Sequence, residues 1–316
     1  MEVSPVKAAV VGVGSMGRNH ARVYSELEEV ELVGVCDRDA SRAGEIAQRF
    51  GCLATTELDQ LLSLAPHVLS IAVPTSQHHE VALAAVEAGV PVLLIEKPIS
   101  DDFDHAAQVI AAARRKGIKI FVGHIERFNP AVRVLKELIG EGRLGEVLSI
   151  ANLRVGQYNE RILDTGIILD LGSHDVDLIS FLYGERVEAV SAVASTSVHE
   201  RGYEDHASIL LRFPGERSGI CELSWLSPYK VRNIFVTGED RFALVDLIQQ
   251  KVTLLGSEPE VVPVPREEPL RLELKAAVEC YLNGTEPAVT AEDSIHCLKV
   301  CNAAISAYRT GRVVEV

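Results

Sequence analysis

The sequence predicts an α/β protein in two parts, on three observations. The first ~120 residues alternate short apolar strands with helical patterns, the mark of a parallel sheet flanked by helices. A glycine cluster follows the first of those strands. After Gly123 the pattern changes to long alternating runs, which read as an antiparallel sheet.

Bulk properties agree with two domains. The chain has 316 residues and is 47% hydrophobic, enough for a large core. Its net charge is −14 and its basic residues are dispersed, with only Arg114-Arg115-Lys116 contiguous. That argues against nucleic acid and against an anionic membrane surface as partners. No apolar run approaches the ~20 residues of a spanning helix. Met1-Glu2-Val3-Ser4-Pro5 lacks the basic start of a signal peptide. Six cysteines lie far apart without a C-x-x-C pair, which fits reduced thiols and a cytoplasmic location. Cys297 and Cys301, four apart, read as helix packing.

Taken in order, strands are expected at Val6–Val11, Glu31–Cys36, His67–Val73, Val90–Ile95 and Lys119–Val122. Helices fill the gaps at Ser15–Leu27, Ala40–Phe50, Gln77–Ala88 and Asp102–Lys116, with a shorter one at Glu57–Leu64. Gly51, Gly89 and Gly117 stand where helix ends favour glycine. The second part begins with a helix at Pro130–Ile139. Strands follow at Val147–Val155, Val187–Val198, His206–Phe213, Gly219–Leu226 and Val231–Thr237, interrupted by a helix near Ser173–Tyr183. Pro259–Pro269 reads as a loop, and helices at Leu270–Leu282 and Ala291–Tyr308 close the chain. The domains are therefore set at residues 1–122 and 123–316.

Gly12-Val13-Gly14-Ser15-Met16-Gly17 is G-x-G-x-x-G between a strand and a helix. Such glycines admit a pyrophosphate to the backbone, and the helix N-terminus supplies N–H donors and positive dipole. Asp37 ends the second strand, where a carboxylate takes both ribose hydroxyls. The combination marks a Rossmann dinucleotide-binding domain. Asp37 favours NAD, because it repels a 2′-phosphate. Arg38 and Arg42 follow closely and could greet that phosphate, so NADP stays open.

Lys97 stands where the apolar strand Val90–Ile95 leaves the core, in Glu96-Lys97-Pro98. Ala72-Val73-Pro74-Thr75-Ser76-Gln77-His78 ends the preceding strand, and Asp170-Leu171-Gly172-Ser173-His174-Asp175-Val176-Asp177 follows downstream. These three segments, in this order behind the glycine loop, resemble the glucose–fructose oxidoreductase/inositol dehydrogenase (Gfo/Idh/MocA) family over essentially the whole chain. The resemblance implies a Rossmann domain followed by a C-terminal α/β domain with an open, mostly antiparallel sheet. It places Ser15, Met16, Pro74, Thr75, His78, Glu96, Lys97 and His124 at the cofactor beside the glycines and Asp37. It makes Lys97, Asp170 and His174 catalytic, with Lys97 and His174 also meeting the substrate. In the family the bond before Pro98 is commonly cis.

Alcohol oxidation needs such groups. As hydride leaves carbon, the hydroxyl proton goes to a base, and a neutral histidine suits that task. Asp170, one helical turn before His174, can orient the imidazole. A helix N-terminus disfavours imidazolium, and Lys97 can stabilise the developing alkoxide. Asp177 reads either as a support for this pair or as the polar face of its helix. No metal is expected.

Arg154, Tyr158 and Arg161 precede this motif on a segment read as a loop leaving the sheet, and guanidinium forks suit a diphosphate. The segment Leu153–Gly166, with Gly123–Pro130 and Ser224–Arg232, resembles the branch that oxidises the 3-hydroxyl of UDP-N-acetylglucosamine or its uronate. It departs from that branch at Gln157, where proline is common. The expected function is thus an NAD-dependent dehydrogenase of a UDP-amino sugar. The competing readings are an inositol or polyol dehydrogenase and a non-catalytic dinucleotide-binding sensor. A sensor has no need of Lys97, Asp170 and His174 together. Family members commonly associate through the exposed face of the C-terminal sheet, which implies a homodimer or homotetramer.

Overall fold

Residues 4–100, 102–158, 165–196 and 202–316 are described by the computed structural model. The chain divides into two units. The first comprises Met1–Ile125 and Glu268–Ile295, the second Glu126–Glu267 and His296–Val316. The C-terminal stretch Glu268–Ile295, assigned by sequence to the second domain, therefore clusters with the first.

The first unit holds six parallel strands: β1 (Val6–Val11), β2 (Val30–Cys36), β3 (Leu53–Thr55), β4 (Val68–Ile71), β5 (Val92–Glu96) and β6 (Lys119–Gly123). Their order is β3-β2-β1-β4-β5-β6, the doubly wound order of dinucleotide-binding sheets. β4 and the first four residues of β5 are buried throughout, as a sheet covered on both faces requires. The short β3 was not expected, because three residues carry no readable periodicity. The crossovers are α1 (Gly17–Glu26), α2 (Ala40–Phe50), α3 (Leu58–Leu62), α4 (His78–Glu87) and α5 (Phe103–Lys116). The Asp39 side chain caps α2, accepting from the N–H groups of Ser41 and Arg42, and Asp102 caps α5 in the same way.

The second unit carries a nine-stranded sheet. After α6 (Pro130–Gly140) come β7 (Val147–Gln157), α7 (Ser173–Tyr183), β8 (Ala189–Ser195), β9 (His206–Arg212), β10 (Ser218–Ser224) and β11 (Leu226–Gly238). The strands β12 (Phe242–Asp246), β13 (Lys251–Leu255) and β14 (Glu260–Val262) continue it. Helices α8 (Pro269–Asn283) and α9 (Ala291–Thr310) precede the final strand β15 (Val314–Glu315). The order is β14-β13-β12-β11-β7-β10-β9-β8-β15. All pairs are antiparallel except β7 with β10. The core lies on one face, where Ile150, Ile209, Leu223, Ile234 and Val236 pack with Val176, Ile179 and Leu182 of α7. On the other face Leu148, Ile220, Leu210 and Val193 are exposed on the neighbouring strands β7, β10, β9 and β8. The four strands β12 to β15, each five residues or shorter, were not expected from the sequence.

Candidate active site

The glycine loop is built as a cradle. Gly12 has φ +81, and a Cβ there would lie 2.7 Å from the Ala72 carbonyl oxygen. A Cβ on Gly17 would lie 1.8 Å from the Gly12 oxygen, so only glycine lets α1 start this close to the loop. Gly14 faces open space, with nothing within 4 Å. Tight turn, open approach and close helix packing are the three roles a dinucleotide pyrophosphate demands. The Asp37 carboxylate is buried and aimed at the loop. Its Oδ2 accepts from the Val13 N–H at 2.9 Å, and Oδ1 accepts from the Asp39 N–H at 3.0 Å. Arg42 reaches it at 3.2 Å, while Arg38 lies exposed. These residues fit an NAD molecule, with Asp37 available to its ribose.

At the end of β5, Glu96 and Lys97 are half-buried and the Lys97–Pro98 bond is cis. His78 is buried, with its ring nitrogens 2.9 Å from the Pro98 carbonyl and 3.0 Å from the Val73 carbonyl, and the neutral ring donates to one of the two. It ties the Val73–Thr75 segment to the turn after Lys97. Burial pulls its pKa down, partly offset by those carbonyls. His124 follows β6 and is also buried.

In the second unit Asp170 lies in a π-helical turn, Ile168–Gly172, that runs directly into α7. Such turns recur at functional sites. Asp170 and His174 are both half-buried. Glu204 secures the entry: its carbonyl accepts from the Ile167 N–H at 3.0 Å and its Oε1 from the Ile168 N–H at 3.3 Å. A Cβ on Gly166 would fall 2.2 Å from that Oε1, so the glycine makes room for the cap. The Cys297 thiol donates to the Ser173 carbonyl at 3.1 Å, holding the start of α7 from beneath.

Arg154 belongs to the strand expected at Val147–Val155, not to the loop that leaves it. Arg154 lies within β7 and is 2% exposed. Its Nε donates to Asp175 Oδ1 at 2.8 Å and its Nη1 to Glu126 Oε1 at 3.0 Å. Among the described residues its partners are Glu126 and Asp175. Arg232 stands directly across from Arg154 on β11 and shares the same Glu126 oxygen at 3.1 Å. Two guanidiniums opposite each other repel, and Glu126 is what makes the pairing tolerable. Burial raises Glu126, but Arg154 and Arg232 outweigh it and leave it below the ordinary carboxylate range. Burial lifts Asp175 above that range despite Arg154. The two ends of that contact pull apart, since Arg154 is held charged more firmly. The bond to an always-charged guanidinium favours the carboxylate form of Asp175 near neutral pH. Lys230 is lowered by Arg232 and then by burial.

Asp177 is not on a polar face. It is 2% exposed and takes Arg127 through Nε at 2.9 Å and Nη2 at 2.6 Å. Tyr158 packs edge-on against Trp225 with ring centroids 5.2 Å apart. Arg161 lies outside the described residues. The structure therefore keeps Lys97 with Glu96 and His78 in one unit, and Asp170 with His174 on one turn in the other. Sequence reasoning missed Glu126, Arg127, Asp175, Glu204 and Arg232. A signal existed for the first two, since Glu126-Arg127 interrupts an otherwise apolar run before a helix.

Comparison with known proteins places this geometry. Residues 6–124 match a family model described as an oxidoreductase family with an NAD-binding Rossmann fold. Residues 132–243 match the GFO/IDH/MocA C-terminal domain. The chain is 31% identical over 299 residues to the UDP-N-acetylglucosamine 3-dehydrogenase of Acidithiobacillus ferrooxidans, covering 92% of this chain and 91% of that protein. It is 28% identical to the scyllo-inositol 2-dehydrogenase (NAD(+)) of Bacillus subtilis, covering 98% and 96%. A solved structure of the Acidithiobacillus ferrooxidans enzyme superposes with a TM-score of 0.90 at 27% identity, covering 98% of this chain and 99% of that one.

Proposed function

Because the chain belongs to the Gfo/Idh/MocA oxidoreductase family, and is therefore an NAD-dependent dehydrogenase of sugar or polyol hydroxyls, we propose that it oxidises C3 of a UDP-N-acetylamino sugar to a 3-keto sugar. The observation that carries the proposal is the likeness to a UDP-N-acetylglucosamine 3-dehydrogenase over nine-tenths of both chains.

Bound NAD supplies the hydride acceptor. The Asp37 carboxylate and the Gly12–Gly17 loop hold and orient it, with Arg38, Pro74, Thr75, His78, Glu96 and His124 as further contacts. His174 takes the hydroxyl proton at its imidazole. The π-helical turn Ile168–Gly172 runs straight into α7, so His174 does not face a free helix N-terminus, and its part rests on the imidazole as a neutral proton acceptor. Asp170 orients the ring, and the Lys97 ammonium steadies negative charge growing on the substrate oxygen. Tyr158 and Arg161 contact the nucleotide. Arg154 acts inside the unit instead, holding Asp175 beside His174. The exposed row Leu148, Ile220, Leu210 and Val193 gives the sheet a face for a second copy, the basis for a homodimer or homotetramer.

The test is reduction of NAD with UDP-N-acetylglucosamine, its uronate and myo-inositol in parallel, with an aminotransferase present to pull the 3-keto product. Lys97→Ala and His174→Ala each lower turnover by about 100-fold or more, the scale of a lost electrostatic or acid–base group. Activity with inositol and with neither UDP-sugar ends the nucleotide-sugar reading. It would promote the polyol reading, which the likeness to the scyllo-inositol enzyme supports.

A further inference from the structure

Helix α1 contributes more than an N-terminus. His20 and Tyr24, one turn apart on its inner face, are both fully buried, as is Ser70 on β4. Tyr24 Oη lies 2.9 Å from Ser70 Oγ, and Ser70 Oγ lies 3.0 Å from His20 Nδ1. His20 Nε2 lies 2.9 Å from Glu96 Oε1. The order Ser–His–Glu imitates a hydrolytic triad, but Ser70 is sealed inside the sheet and bonded to Tyr24, where no acyl group reaches it.

The chain of bonds has a fixed sense at its far end. A carboxylate only accepts, so His20 Nε2 carries its hydrogen and donates to Glu96. Glu96 is the last residue of β5 and lies opposite Gly123 on β6. A Cβ on Gly123 would stand 3.0 Å from Glu96 Oε2, so the glycine leaves the carboxylate its place. The groups facing Glu96 are His20 from α1, Lys97 from the chain beyond β5, His78 from α4 and Glu273 from α8. Burial alone would raise Glu96, yet the His20 bond, then the His20 and Lys97 charges, leave it below its ordinary value. Glu273 is raised well above its ordinary value, by burial first and Glu96 second.

We propose that His20 is a positioning residue of the dehydrogenase site, donating from α1 to Glu96 so that this carboxylate is held in place beside Lys97 for the cofactor. The helix that receives the dinucleotide and the strand end that carries the lysine are thereby joined by one bond, from a buried imidazole to a half-buried carboxylate. The inference rests on the proposed cofactor contact of Glu96, and its test separates the two. It does not depend on which sugar is the substrate.

The experiment is titration of NADH fluorescence with the whole protein and a double-mutant cycle. His20→Leu should weaken NADH binding about tenfold, the scale of a hydrogen bond to a charged group. In a Glu96→Gln background the same change should cost less than twofold, because the group it acts through is gone. His20→Gln, which returns an N–H donor near the Nε2 position, should restore affinity to within about threefold. Thermal melts of all variants identify any that fail to fold, and Ser70→Ala then replaces His20→Leu as the milder break in the chain. If His20→Leu lowers the melting temperature but leaves NADH affinity unchanged while Glu96→Gln weakens it, the bond is a structural tie and the proposal is overturned. Equal losses in both backgrounds overturn it as well. If Glu96→Gln itself leaves affinity unchanged, Glu96 leaves the cofactor site and the proposal falls with it.

Discussion

Replacing Arg154 by leucine tests whether that guanidinium serves the fold or a ligand. Its side chain is 3% exposed and meets Asp175 at 2.8 Å and Glu126 at 3.0 Å, whose side chains are 1% and 9% exposed. The substitution does not strand both carboxylates equally. Glu126 keeps Arg232 at 3.1 Å, whereas Asp175 loses its charged partner. Breaking one buried pair costs about 3–5 kcal/mol, because a carboxylate is left in low dielectric. Burial already lifts Asp175, so protonation relieves part of that cost and the loss should sit near ~3 kcal/mol at pH 7. It should shrink as the solution is acidified through the raised Asp175 titration. The chain's single tryptophan, Trp225, is 6% exposed in the core of the second unit, so its fluorescence in urea reports that unit. The expected result is a large fall in the urea midpoint, and recovery of at least half of it on adding Asp175→Asn. An unchanged midpoint with a raised KM for the sugar would refute the reasoning and return Arg154 to the substrate pocket.

Asp37→Ala should weaken NAD binding and narrow the preference over NADP, measured by parallel titrations; tighter NADP binding by the wild type would make Arg38 or Arg42 the reader instead. Gly166→Ala drives a Cβ into the Glu204 carboxylate that caps Ile168, so stability in urea should fall by about 1–2 kcal/mol, the worth of a helix cap, and turnover should fall with it. A variant as stable and active as the wild type would show that Glu204 moves aside without consequence. Glu273→Gln concerns pH. Glu273 has a folded pKa above its unfolded one, so the folded state binds the extra proton and stability declines as pH rises from about 4.5 toward the raised value. The glutamine variant escapes this decline, which runs at about 1.4 kcal/mol per pH step between the unfolded and folded values. It should match the wild type at about pH 5 and exceed it at about pH 8 in thermal melts, and parallel curves would sink the assignment.

What was legible in the sequence is what local chain chemistry decides. The glycine loop, Asp37 at the end of β2, the Glu96-Lys97-Pro98 turn and the Asp170–His174 spacing each lie within one strand, turn or helix start. Local backbone requirements write themselves into adjacent residues there. Helix α2 was readable to the residue because its caps, Asp39 at the start and Gly51 at the end, are also local. What only the tertiary structure decided is how distant polar residues share the interior. His20 meets Glu96 across 76 positions, Arg154 meets Glu126 across 28 and Asp175 across 21, and Glu204 caps Ile168 from 36 positions away. No periodicity announces such pairs, since each partner alone looks like an ordinary surface charge. Burial makes them obligatory: in low dielectric an unpaired charge is too costly, so the fold must bring a partner. The same holds for the strands β12 to β14, which form edge upon edge, β12 pairing with β11, β13 with β12 and β14 with β13.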